Sequence, residues 1–119
     1  MQFGEGGAGT FSDGKLNTLI KDKDGRNHEV LRIFVENGAS EKILYDAKPH
    51  IGTDLLRGVI INLRNKIISM GGEFRYNSCV TDIEIDENKI KSVTVNNDYK
   101  LLCDVLVLAI GHSARDTFY

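Results

Sequence analysis

The chain has 119 residues, 41% of them apolar and 27% charged, the proportions of an ordinary folded domain with enough length for a core. That excludes wholesale disorder, which needs few apolar residues and a large net charge. The 15 basic and 17 acidic residues are scattered and leave a net charge of −2, so no nucleic-acid surface is expected. The longest uncharged apolar run, Val105 to Ile110, falls far short of the roughly 18 residues a membrane span requires.

The chain begins in glycine. Gly4, Gly6, Gly7, Gly9 and Gly14 all fall in the first 14 residues, which predicts a loop that can turn sharply and approach a ligand or another backbone closely. No element precedes this loop to connect to it, so the chain is expected to be an internal piece of a larger protein. No basic segment followed by an apolar stretch opens it, and no signal peptide is expected. Residues 15–20 suit a short turn or strand, and Lys21 to Arg26 form a polar turn ending in Asp24-Gly25. Val30, Leu31, Phe34 and Val35 recur at helical spacing, predicting a helix over 28–37 that stops at Asn37-Gly38. Ser40 can cap a second short helix through Tyr45, and Pro49 breaks the chain beyond it. This glycine loop and helical insert make up a predicted region 1–51.

The second predicted region, 52–119, opens with a long helix. Leu56, Val59, Ile60, Leu63, Ile67 and Met70 form one apolar stripe, Thr53 or Asp54 can cap its start, and Gly71-Gly72 can end it. The period then changes to two. Glu73–Tyr76 suits a short strand. Val80, Ile83 and Ile85, then Ile90, Val93 and Val95, then Tyr99, Leu101 and Leu102 mark three strands joined by the polar turns Asp86-Glu87-Asn88 and Asn96-Asn97-Asp98. Together they predict an antiparallel meander. Asp104–Ile110 is apolar on both faces, which suits a strand buried in a parallel sheet. Gly111 ends it, and Ser113 can cap a helix. The fold class is α/β: a long helix, a three-stranded antiparallel meander and a buried parallel strand.

Three features could carry chemistry. Gly4-Glu5-Gly6-Gly7-Ala8-Gly9 matches GxGxxG by letter, but no strand precedes it and no second strand delivers an acidic residue about 20 positions on. A loop whose N–H groups, with the Thr10 or Ser12 hydroxyl, meet a phosphate or flavin edge is one reading; a tight packing loop is the other. Gly111-His112-Ser113-Ala114-Arg115 nearly matches a nucleophile elbow, but it lacks the second glycine, and every histidine lies before Ser113, so the triad order cannot be met. A strand-to-helix turn favouring an anion fits better, and Ser113 can equally be a plain cap. His28, His50 and His112 are too dispersed for a metal motif. Cys79 and Cys103 make neither a disulfide framework nor a CxxC pair and read as buried thiols in a reducing cytoplasm. Asp13, Lys15 and Asp46-Ala47-Lys48 could lie near a substrate or could be solvated charges.

The order of elements from Gly52 to Tyr119 resembles the middle of two-dinucleotide-type flavoproteins of the glutathione-reductase structural class. The segments Phe3–Thr18, Asp46–Asp54 and Gly111–Asp116 are similar to segments of the bacterial FAD-dependent dehydrogenases, or NAD(P)/FAD-dependent oxidoreductases. That resemblance implies an FAD/NAD(P)-binding domain, with NAD(P)H as a co-substrate and a small-molecule substrate. It implies Gly6, Gly7, Gly9, Thr10 and Ser12 near the pyrophosphate or flavin, and Val80 against the adenine through its backbone. Gly111, His112 and Ser113 would lie close to the FAD, and His50 and Lys48 on the substrate side. The N-terminal dinucleotide-binding turn and the C-terminal flavin-closing segment of such proteins are absent from these 119 residues. The piece alone is therefore expected to be inactive and prone to self-association through uncovered apolar surface. A non-redox phosphate- or nucleotide-binding module and a structural interaction domain are the alternatives.

Overall fold

A computed structural model describes residues 4–12, 14–16 and 21–111. The chain divides into two compact units, Met1–Glu73 and Phe74–Tyr119, each taken by itself below.

The first unit is helical. α1 (Gly7–Thr10) is a single turn, α2 spans Arg26–Glu36, a 3-10 turn covers Glu41–Leu44, and α3 spans Thr53–Ser69. The residue before α2 is Gly25, which offers no side chain for a cap. The polar turn ahead of it supplies one instead: the His28 N–H donates to Asp22 Oδ2 at 3.1 Å. Desolvation pushes the Asp22 carboxyl up, but the backbone N–H groups of His28, Asn27 and Arg26 outweigh it and hold the carboxyl below its ordinary value. A depressed carboxyl stabilises the fold above the unfolded-state value, near about pH 4, and loses that contribution as pH falls through the folded-state value. Asp22→Asn is therefore expected to lower the melting temperature slightly at pH 7. The gap to the parent chain should close below about pH 3; a gap that persists unchanged in acid would mean Asp22 does not cap as an anion.

α2 ends as its sequence predicts. Asn37 is buried and donates its Nδ2 to the Ile33 carbonyl at 2.8 Å, while the Gly38 and Ala39 N–H groups turn back to Val35 and Phe34. The Asn37 carbonyl accepts from Asn62 Nδ2 at 2.8 Å, which ties the end of α2 to α3. Ser40 caps the 3-10 turn by accepting the Lys42 N–H. Ala39, Ile43, Ile51, Leu56 and Val59 form the core, with Leu16, Leu31, Phe34, Val35, Ile60 and Leu63 packed around it. The predicted stripe of α3 is thus the buried one over its first half, while Ile67 and Met70 continue it into exposure.

The start of α3 differs from expectation. Neither Thr53 nor Asp54 caps it; Gly52 precedes it with no side-chain hydrogen bond. Backbone pairing fixes the entry instead. Lys15 and His50 form an antiparallel bridge, Leu16 N–H donates to Pro49 O at 3.0 Å, and Ile51 N–H donates to Gly14 O at 3.2 Å. The glycine stop at the other end is as predicted, with the Gly71 and Gly72 N–H groups returning to Ile68 and Ile67.

The second unit holds the meander. β1 (Val80–Asp86), β2 (Lys89–Val95) and β3 (Tyr99–Leu102) pair antiparallel in sequence order. Both connections place two non-glycine residues at positive φ, Glu87-Asn88 and Asn96-Asn97. Those turns match the right-handed twist of the strands they join. β1 carries two register irregularities. As the central strand, β2 contributes the buried residues Ser92, Val93 and Val95. Ser92 Oγ donates to Glu84 Oε2 at 2.8 Å and Lys100 Nζ to the same oxygen at 2.7 Å, a polar tie across all three strands. Lys100 first and Ser92 second hold the Glu84 carboxyl below its ordinary value.

Two predicted strands are not strands here. Glu73–Tyr76 carries no strand assignment, and Arg75 lies 5.8 Å from the Tyr99 ring centroid. After β3 the last ladder-like bond is Cys103 N–H to Lys91 O. The stretch 104–110 carries no strand assignment, and Val105, Val107, Leu108 and Ile110 are exposed. A strand apolar on both faces needs neighbours at its edges and layers above and below, and no described residue of this unit supplies them. Cys79 is exposed and Cys103 half-buried, so the expectation of two buried thiols is not met: Cys79 lies in the extended lead into an edge strand.

Candidate functional site

The backbone bridge that sets the start of α3 also brings two of the singled-out segments together. The glycine segment and the stretch 46–54 run past each other at Lys15 and His50, and the approach is close. Gly14 is buried with φ +68, and a Cβ there would lie 3.1 Å from the Gly52 nitrogen. Beside this crossing is an open depression of about 520 Å³, bordered by Ser12, His50 and the run Ile51–Leu55. The N–H groups of Thr53, Asp54 and Leu55, in the first turn of α3, have no partner among the described residues, as expected at a helix start. The depression therefore offers backbone donors, the His50 imidazole, the Ser12 and Thr53 hydroxyls and the Asp54 carboxylate.

The glycine turn itself is used internally. Gly6 has φ +75, and a Cβ there would fall 2.6 Å from Ile60 Cδ1; at Gly9 it would fall 2.8 Å from Leu56 Cδ2. These two glycines let α1 lie directly on α3. The N–H groups of Gly7, Gly9 and Thr10 donate to Gly4 and Gly6 carbonyls. The Thr10 hydroxyl donates to Gly7 O at 3.1 Å and the Ser12 hydroxyl to Gly9 O at 3.3 Å. In this conformation most of the turn's donors are already used within it. GxGxxG here opens a one-turn helix, not the long helix of a dinucleotide fold.

The remaining predicted positions are dispersed. Lys48 is exposed, and Asp13 lies outside the described residues. Val80 opens β1 opposite Val95, with its carbonyl 3.7 Å from Cys79 Sγ. Gly111 is exposed with φ +72 and open space where a Cβ would be. His112 and Ser113 lie outside the described residues. No group of three or more metal-ligating side chains occurs among the described residues, and no described helix is long and apolar enough to cross a membrane.

Sequence reasoning missed Gly52 to Leu55 as a border of the depression. The sequence offers Thr53 and Asp54 as caps, and only the fold shows that neither caps and that the turn's N–H groups stay unanswered.

No family model matches the chain. It is 50% identical over 118 residues, 99% of its length, to an uncharacterized protein of Clostridium beijerinckii. The chain spans only 22% of that protein's length.

Proposed function

We propose that the chain is an internal segment of a cytoplasmic FAD-dependent oxidoreductase and contributes part of the surface on which cofactor and substrate meet. The observation that carries this reading is the crossing at Lys15 and His50. It joins two segments that each resemble the FAD-dependent dehydrogenases, and it places them beside one depression. The helix, glycine stop and meander follow in the order that the resemblance implies. Within that reading, 104–110 is the parallel strand of the FAD-binding domain.

The residues fit the group unevenly. The turn Gly6–Ser12 fits a pyrophosphate poorly as described, because the N–H groups of Gly7, Gly9, Thr10, Phe11 and Ser12 and both hydroxyls are donated within the turn. The free N–H groups at the start of α3, with His50 at the rim, suit an anionic group of cofactor or substrate better. A bound flavin would supply hydride transfer, with NAD(P)H and a small molecule as the exchange partners. The chain's own part is to orient and to exclude water, and none of its side chains is assigned a proton.

The test is made on the Clostridium beijerinckii protein, the longer relative. The expected result is that it purifies yellow and releases stoichiometric FAD on denaturation. A colourless protein that also fails to take up added FAD would remove the oxidoreductase reading. The free donors at the α3 start favour a non-redox phosphate-binding module as the second reading. Phosphate or nucleotide binding without flavin would select it.

A further inference from the structure

Each unit carries apolar surface that no described residue of it covers. In the first unit, α3 is two-sided. Leu56, Val59 and Leu63 face the core, while Ile61 and Ile68, two turns apart and on the other side of the helix, are 46% and 52% exposed. Gly58, one turn before Ile61, has open space where a Cβ would be, so a neighbour could approach the helix backbone there. Ile61 and Ile68 thus form a second, narrower apolar strip, flanked by Arg57, Arg64 and Asn65. In the second unit, Val105 and Val107 are 77% and 80% exposed, and Leu108 is exposed as well. Side chains on both faces of an extended segment are involved, because 107 and 108 point to opposite sides.

We propose that these two surfaces are interior faces of a longer polypeptide, covered by segments of that same polypeptide outside residues 1–119. A second copy of the chain does not answer the second unit. Pairing 104–110 with its own twin would satisfy one edge and leave both faces wet, whereas a strand of this composition needs layers above and below. The required material exists in the Clostridium beijerinckii protein, where the aligned 118 residues are 22% of the length. The inference holds whether or not that protein binds flavin.

Hydrogen exchange read by mass spectrometry tests it, on this chain at low concentration and on the longer protein. In this chain the amides of 104–110 should exchange near the unprotected rate. In the longer protein the aligned segment should exchange at least about 100-fold more slowly. Equally fast exchange in both overturns the proposal. Protection that grows in this chain with concentration, alongside a dimer mass by light scattering, also overturns it, because the occupant is then a second copy. Val107→Asp provides an independent reading. In this chain it should leave the helical signal and its melting unchanged; placed at the aligned position of the longer protein, it should abolish folded product. A longer protein that tolerates the aspartate counts against the proposal. Failure to find flavin in the same preparation would remove the oxidoreductase reading and leave this one standing.

Discussion

Gly14→Ala is expected to destabilise the Met1–Glu73 unit by about 2–5 kcal/mol. Two costs combine. At φ +68 an L-side chain sits in the left-handed region, a penalty of roughly 1–2 kcal/mol. The new Cβ would also lie 3.1 Å from the Gly52 nitrogen and 3.3 Å from its carbonyl carbon. Those are backbone atoms, held in place by the Ile51-to-Gly14 hydrogen bond, so they cannot swing aside as a side chain would. Gly25→Ala supplies the control. Gly25 has φ +71 but nothing within 4 Å of the added carbon, so it should show the conformational penalty alone. Helical circular dichroism in urea reads the effect cleanly, because every described helix belongs to this unit. The close crossing is wrong if Gly14→Ala costs no more than Gly25→Ala. Displacing it should also spread the border of the depression, since His50 and Gly52 stand on the same bridge.

The contrast between those two glycines shows what a sequence can and cannot reveal. The elements were legible wherever an element's own pattern decides them. α3 announces itself through Leu56, Val59, Ile60 and Leu63, the meander through its alternation and its asparagine-rich turns, and the 3-10 turn through Ser40. Those signals are local. Gly6, Gly9, Gly14 and Gly25 look alike in sequence, yet three answer to neighbours about 40 to 55 positions away, at Ile60, Leu56 and Gly52, and the fourth answers to none. The cap of α2 was hidden for a similar reason. Asp22 lies in what reads as a solvated turn, and only the fold brings its carboxylate under the N–H of His28. The segment 104–110 shows the opposite failure. Its composition describes the environment it is suited to, and periodicity has no way to report whether that environment is present. The candidate site was half legible: the glycine segment and the stretch 46–54 stood out, but their crossing, and the uncapped start of α3 beside it, depend on pairing across some 35 residues.

Ile43→Ala should be the other costly change, at about 2–5 kcal/mol. Ile43 is 1% exposed and sits where the short Glu41–Leu44 turn meets Ala39, Ile51, Leu56 and Val59. Truncation there removes three carbons from a cluster of five buried apolar residues among those described, and the turn carrying it is held by its own backbone bonds and cannot collapse freely into the space. Ile43→Val, which removes one carbon, should cost about 0.5–1.5 kcal/mol. Ile68→Ala is the reference at the other extreme: at 52% exposure it should change stability by less than about 0.5 kcal/mol. A small domain holds only about 5–15 kcal/mol in total, so the Ile43 loss should move the urea midpoint far enough to read without extrapolation. If Ile43→Ala proves as silent as Ile68→Ala, then the apolar stripe of α3 is not the face that the 39–51 segment covers. The crossing at Lys15 and His50, which rests on Ile51 in that same cluster, would lose its footing with it.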